Sequence, residues 1–460
     1  MPFGFFKKKE EDALPGKVSM NREELFCYGF DASSEEGAPS AVVRPVNTQE
    51  VSDVASYAFK NGVPIVPRGA GTGMTGGSVP LKDSVVLSLE GMNRIIEIDE
   101  KNMVAVVEPG VINFHLQERL EDAGLFYPPD PASMKFCTLG GNVAENAGGP
   151  RAVKYGVTKD YVLGLETVLP DGRVLMTGGR TYKGVVGYDL TRLLVGSEGT
   201  LGIVTKIYLK VLPLPEETIT MLCTYRTIDA AAQTVSRITS SAVIPRALEF
   251  MDNESIRAVE NYGSFGLPVD AEALLLIEVD GPRAAVTEEA EKIASVCKAL
   301  DGDVSIAEDF FSQQRIWDAR RAISPALYRI RPTKINEDIV VPRGRIPEML
   351  KALREIAEKN DLIIANFGHA GDGNIHVNIM TDKNNEEEYR IAQESVRDIF
   401  EATLNLGGTI SGEHGIGLTK KQFVGMELSD VSIELMKKIK GVFDPKGILN
   451  PGKMFPADKY

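Results

Sequence analysis

Cysteine is scarce in this 460-residue chain: Cys27, Cys137, Cys223 and Cys297 stand far apart, and no CxxC occurs. That argues against a disulfide framework and against an iron–sulfur cluster carried by the chain itself, and it points to a reducing compartment, the cytoplasm. A basic surplus is also missing. The 51 Lys and Arg stand against 65 Asp and Glu, a formal net charge of −14. Nothing is left over to neutralise phosphates, so a nucleic-acid partner is not expected. No apolar run approaches the ~20 residues that span a bilayer, so no transmembrane segment is expected. The start, MPFGFFKKKEED, places its lysines after its aromatics and has no apolar h-region, unlike a signal peptide. Phe3, Phe5 and Phe6 ahead of Lys7, Lys8 and Lys9 leave open a peripheral seat on the inner face of a membrane. The stretch is too short for stable anchoring, which favours a frayed or partner-contacting terminus.

Histidine is as rare as cysteine, with four in all. Three of them, His369, His376 and His414, fall in FGHAGDGNIHVN at 367–378 and SGEHG at 411–415, with Glu413 beside the last. The fourth, His115, sits in an amphipathic helical stretch and reads as structural.

What is present in quantity is an ordinary globular composition, 43% hydrophobic and 25% charged, in a chain long enough for two or three domains. After a polar, disordered-looking extension (1–38), AVVRPVNTQEVSDVASYAFKNG reads as a strand, an Asn–Thr cap, an amphipathic helix and a Gly stop. VPIVPRGAGTG is a short buried strand entering a Gly loop. VVLSLEGMNRIIEID and MVAVVEPGV are strands, and INFHLQERLEDAG a helix. TLGIVTKIYLKVLPLP is a strand ending in a Pro-broken linker, which closes a first domain (39–215). Beyond it, five strands and five helices alternate through an α+β domain (216–425), whose helices are expected to cover one face of an antiparallel sheet. A helix near 430–443 and a Pro/Gly tail complete the last segment (426–460).

PRGAGTGMTGG at 67–77 contains a literal GxGxxG at Gly71, Gly73 and Gly76. A dinucleotide fingerprint must open a helix, so that the pyrophosphate meets its N-terminus. Here Gly-Ser-Val-Pro follows, and then another strand. The expected element is a strand–loop–strand whose consecutive N–H groups line an anion-binding concavity, with glycines letting the backbone approach the ligand. FYPPDPASMKFCTLGGNVAENAGG at 126–149 and VGSEGTLGIVT at 195–205 have the same character. Together they imply a phosphate-bearing cofactor held by backbone rather than by a Rossmann helix.

The histidine motifs allow more than one chemistry. His369 leads into an Asp–Gly turn, and His376 and Asn378 share a face of the next strand. Taken alone, these residues fit a divalent-metal site, a proton-transfer site or a hydrogen-bonded hairpin.

In order along the chain, PRGAGT, YPPDPAS, GGNVAENAGG, GSEGTLGIVT, GHAGDGNIHVN, SGEHGIG and FDPKGILNPGK resemble the FAD-linked oxidase family, within the branch of D-lactate and D-2-hydroxyglutarate dehydrogenases and the flavoprotein subunit of bacterial glycolate oxidase. The resemblance runs from about Pro39 to Pro456. It implies a p-cresol methylhydroxylase-type fold: two α/β subdomains holding FAD, an α+β cap, and a C-terminal helical tail returning to the FAD domain. The Gly loop lacks the histidine that some members use to attach flavin, so non-covalent FAD is expected. Carried over by position, Arg68, Gly69, Ala70, Gly71, Thr72 and Gly73 surround the pyrophosphate. Asp130, Ser133, Thr138, Gly140, Gly141 and Asn142 lie along the ribityl chain and ring. Glu198, Gly199 and Ile203 take the adenine-to-ring side, and Asn450 closes the pocket. His369, His376 and Glu413 bind a divalent metal; the donor set suits Zn²⁺ first, with Mn²⁺ or Fe²⁺ as alternatives. His414 is the general base. Arg320 anchors the substrate carboxylate, Lys334 assists, and Asn378 adds a polar contact. Ser324 stands where some relatives have Thr.

The resemblance therefore implies an FAD-dependent dehydrogenase of a small D-2-hydroxy acid, D-lactate or glycolate, whose electrons leave through an electron-transferring flavoprotein or a separate iron–sulfur subunit. A homo-oligomer is compatible with this. Two rivals come from other classes: a metal-dependent hydrolase, which would be colourless, and a non-catalytic flavoprotein subunit, whose flavin substrate would leave oxidised.

Overall fold

The computed structural model describes residues 17–456; the Phe3–Lys9 stretch lies outside them. Two compact units form. One takes the described residues up to Gly148, Val157–Leu214 and the described residues from Glu413 on; the other takes Gly149–Gly156 and Pro215–Gly412.

The first unit begins where the sequence pattern is clearest. Strand Ala41–Arg44 buries Ala41, Val42 and Val43 completely. Asn47 then caps helix Thr48–Asn61 by accepting from the Glu50 N–H at 2.9 Å, which satisfies one of the donors left over at a helix start. The helix turns Val51, Val54, Ala55 and Ala58 inward and ends at Gly62. Those side chains meet Ile65, Val85, Leu87, Ile203 and Leu449 in one core. The first sheet runs Lys17–Ser19, Ala41–Arg44, Val85–Ser88, Ile65–Arg68, and its last three strands are parallel. The second is antiparallel throughout: Ile95–Asp99, Val104–Val107, Ile203–Lys210, Val162–Val168, Val174–Gly178. Between Arg68 and Val85 there is no helix, so the GxGxxG sits in a strand–loop–strand as its flanking sequence requires.

One expectation needs correcting. The polar stretch before Pro39 is ordered over its described part. Lys17–Ser19 pairs with Ala41–Arg44, Asn21 caps helix Arg22–Cys27, and Val18 and Met20 pack against the core. Two apolar side chains and one edge pairing decide this, and average composition hides both.

The tail returns to this unit. The Ile65 N–H donates to the Ile448 carbonyl and the Ile65 carbonyl accepts from the Asn450 N–H, so 448–450 adds a short pairing beside the strand that carries the Gly loop. Lys440 secures it through the carbonyls of Thr200 and Leu449, at 2.7 and 2.8 Å.

The second unit is a seven-stranded antiparallel sheet in the order Asp303–Ile306, Glu217–Tyr225, Ala273–Gly281, Ala247–Asp252, Ile363–Gly368, Asn374–Thr381, Thr333–Val340. Its helices cover both faces, not one. Leu274 and Leu276 pack with Ile256 and Val259 of helix Asn253–Gly263 and with Ile323 and Leu327. On the opposite face Leu275 and Ile277 are equally buried, and Cys223, paired with Leu275, meets Cys297 of helix Arg283–Ala299 around Gly302. The near-continuous apolar run ALLLI is the sequence sign of a strand buried on both sides. The helix expected over 309–329 is two, Phe310–Arg321 and Ile323–Leu327. Pro325 lacks the N–H for the Arg321 carbonyl and its ring clashes there, which breaks the helix. Among the described residues no helix is long and apolar enough to cross a membrane.

Candidate active site

The first unit holds a large open cleft, with about 1360 Å³ of empty space including its mouth. Its walls come from three segments far apart in sequence. Arg68, Gly69, Ala70, Gly71, Thr72 and Gly73 form one side; Ser133, Thr138, Gly140, Gly141 and Asn142 a second; Glu198, Gly199 and Ile203 a third; and Asn450 closes the end. Asp130, expected with them, is not part of the lining, although it is buried nearby in the sequence. His115 lies exposed on its helix.

The lining fits a polar, phosphate-bearing molecule such as FAD. Buried Asn142 has an Nδ2 with no hydrogen-bond partner, and buried Asn450 an Oδ1 with none. Unsatisfied buried groups are costly, and here a donor and an acceptor both wait for a ligand. The Asn450 amide is aimed by donating to the carbonyls of Gly77 and Glu198, at 2.9 and 2.7 Å. Gly71 sits at φ +70, and a Cβ there would lie 2.0 Å from Arg68 Nη2, so a side chain would push the guanidinium out of place. Arg68 is 8% exposed, and burial lowers its pKa while Asp31 and Glu90 oppose that.

Glu413 and His414 line the same cleft. Their loop docks onto the Gly loop: Thr75 Oγ1 donates to the His414 carbonyl at 3.1 Å, and the Thr75 carbonyl accepts from the Leu418 N–H at 2.7 Å. Glu198 clamps the other side. Its carboxylate accepts from the Ile416 N–H at 2.7 Å and the Gly417 N–H at 2.8 Å, from a backbone at φ +51 that non-glycine residues seldom adopt. Glu198 thus faces the 413–417 loop, a role the sequence pattern did not suggest.

In the second unit His369 follows strand Ile363–Gly368 and His376 lies in strand Asn374–Thr381, with ring centroids 5.2 Å apart. Each has a carboxylate behind it. Glu249 Oε1 is 2.8 Å from His369 Nδ1, and Asp338 Oδ1 is 3.7 Å from His376 Nδ1. Asp338, fully buried, is fixed by the Asn374 amide at 2.7 Å and the Gly412 N–H at 2.9 Å. Glu249, also fully buried, accepts from Arg320 Nε at 2.8 Å and Nη2 at 2.6 Å. Burial works against the charge of Glu249, but His369 and Arg320 outweigh it and hold the carboxyl below its usual pKa. The Arg320 guanidinium also lies over the Phe367 ring at 4.7 Å.

Lys334 and Ser324 come together, Nζ donating to Oγ at 2.6 Å, and burial pulls the lysine pKa down to about 8. Asn378 is fully buried and internally satisfied. Its amide donates to the carbonyls of Ala365 and His376 and its Oδ1 accepts from Asn336, which speaks against a substrate contact.

Three acids were missed: Glu145 in the cleft wall, Glu249 and Asp338. Glu249 in RALEFMD and Asp338 in KINEDIVV stand beside apolar strand residues, which marks them as acids in buried strands.

A family profile described as FAD linked oxidases, C-terminal domain, matches residues 214–454, and one described as FAD binding domain matches 39–178. The glycolate oxidase subunit GlcD of Bacillus subtilis (strain 168) is 49% identical over 94% of this chain and 92% of that protein. A D-lactate dehydrogenase of Anaerostipes hadrus is 36% identical over 97% and 96%. In fold, p-cresol methylhydroxylase superposes with a TM-score of 0.80 at 18% identity, covering 95% of this chain and 93% of that one.

Proposed function

We propose that this chain, which belongs to the FAD-linked oxidase family and is an FAD-dependent oxidoreductase, oxidises a small 2-hydroxy acid of the glycolate or D-lactate kind to the 2-oxo acid. One observation carries the reading: the cofactor cleft of the first unit is lined by His414 as well as by the Gly loops. A proton acceptor held at the cofactor site is what removal of hydrogen from a C–OH group needs. When bound, FAD supplies the acceptor for the hydride leaving the substrate Cα. The chain's own part is to place and deprotonate. His414 takes the hydroxyl proton, and the Thr75 hydroxyl and the Glu198 clamp fix the loop that carries it.

The roles carried over in the second unit belong to the same proposal. Arg320 meets a substrate carboxylate through the part of its guanidinium outside the Glu249 pair, with Lys334 and Ser324 as a second polar element. His369 and His376 supply imidazoles to a divalent ion, with the Glu413 carboxylate assigned by motif. Supporting this for His369 is the Glu249 carboxylate 2.8 Å behind its Nδ1, the arrangement that orients a metal-ligating histidine. Zn²⁺ suits the donors best. Electrons then pass to a partner protein, an electron-transferring flavoprotein or an iron–sulfur subunit, since this chain has no CxxC to hold a cluster.

The test is anaerobic bleaching of the flavin against a panel of D- and L-2-hydroxy acids, with and without chelator. Bleaching by glycolate or D-lactate, slowed by chelation, is expected. No bleaching by any member refutes the substrate class, and a rate indifferent to chelator refutes the metal. Rapid peroxide formation in air would remove the need for a partner.

A further inference from the structure

Glu145 has no part in the scheme above, and its surroundings are unusual. It ends helix Leu139–Glu145 and lines the cofactor cleft. Its Oε2 is buried without any hydrogen-bond partner. A second acid faces it: a Cβ built on Gly415, at φ +80, would lie 2.3 Å from Glu145 Oε2 and 3.0 Å from Glu198 Oε1. The two carboxyls therefore converge on one backbone position. They are not equivalent. Glu198 accepts from the N–H groups of Ile416 and Gly417, and such donors favour its anion. Two carboxyls this close in a buried site do not both ionise, so the proton belongs on Glu145.

We propose that Glu145 binds FAD as a carboxylic acid, donating from Oε2 to an acceptor atom of the cofactor. This rests on the cleft being the FAD site. The groups around it are Asp31 and Glu198, the cleft residues Arg68, Glu413 and His414, and Lys420 and Lys453 on the Glu198 side. Burial first, then Glu198 and Asp31, hold the Glu145 carboxyl well above its usual value. A proton kept at neutral pH turns a group that would repel a diphosphate into a donor. It also makes cofactor affinity pH-dependent: once Glu145 ionises in the empty cleft, binding must first restore the proton, and affinity falls as pH rises.

The experiment is FAD titration of the deflavinated full-length chain, followed by flavin fluorescence quenching from pH 6 to 9.5. Wild type is expected to bind FAD at pH 6 and to weaken about tenfold per pH unit once Glu145 ionises. Glu145→Gln keeps a neutral donor, so it should match wild type within roughly threefold at pH 6 and lose the pH slope. Glu145→Ala should bind about tenfold more weakly at pH 6, the loss of one hydrogen bond to a buried group. A flat wild-type profile overturns the proposal, as does Glu145→Gln releasing FAD as readily as Glu145→Ala. If neither variant folds, as judged by its melting curve, the wild-type profile decides alone. Failure of wild type to bind FAD at any pH would overturn the cofactor site itself, a distinct outcome.

Discussion

Glu249→Gln offers the sharpest test of how the second unit holds its histidines. In the wild type Glu249 is fully buried and Arg320 8% exposed, joined by contacts of 2.8 and 2.6 Å. Glutamine keeps the shape but removes the charge, leaving a buried guanidinium with a neutral neighbour. Breaking a buried pair from one side costs about 3–5 kcal/mol, because the surviving charge stays desolvated. For a unit of this size each kcal/mol moves the melting temperature by roughly 2–4 °C, so calorimetry should show a fall of about 6–20 °C. The double variant Glu249→Leu/Arg320→Met removes both charges and should recover most of the loss, since an apolar replacement of the whole pair is often neutral. A matching change at the exposed Arg390–Glu387 pair should leave the melting temperature where it is. If Glu249→Gln melts within 2 °C of wild type, roughly the shift that 1 kcal/mol gives, the pair is not bearing the charge balance assigned to it.

Further outcomes follow from the same geometry. Gly71→Ala should lower FAD affinity at least about tenfold in a fluorescence titration, because its Cβ would lie 2.0 Å from Arg68 Nη2 at φ +70; unchanged affinity would place the pyrophosphate elsewhere. His414→Asn should retain the yellow flavin while slowing its anaerobic reduction by about 10²–10⁴-fold, the usual worth of a positioned base; reduction at the wild-type rate would remove His414 from proton transfer. Lys334 has a folded pKa of about 8 against an ordinary 10.5, so between these values the unfolded chain holds more protons and stability rises with pH. Relative to Lys334→Met, wild type should therefore gain on the order of 3 kcal/mol from pH 8 to 10.5 in urea melts. Parallel curves for the two proteins would show that the lysine is not desolvated.

Much of the first unit could be read from local signals. Asn47 and Gly62 bracket their helix by capping chemistry, and Gly-Ser-Val-Pro after the GxGxxG excludes a Rossmann helix. Fifteen of the sixteen residues carried over to the cofactor line one cleft, Asp130 being the exception. The order of the described residues before Pro39 is not legible in the sequence, because it comes from pairing with Ala41–Arg44, a contact that local composition does not encode. The two-sided cover of the second sheet is only half legible for a similar reason: a run such as ALLLI shows that both faces are buried but not by what.

By itself, the sequence determined which chemical groups the protein has: glycine loops without a Rossmann helix, three histidines in two motifs, and a net charge of −14. Those follow from residue type and short-range spacing. Only the tertiary structure decided which groups face one another. It placed Glu249 between Arg320 and His369, Asp338 behind His376, and Glu145 against Glu198 at Gly415. The physical reason is that a carboxyl's charge state depends on burial and on neighbours within a few ångströms, and those neighbours lie tens to hundreds of residues away along the chain.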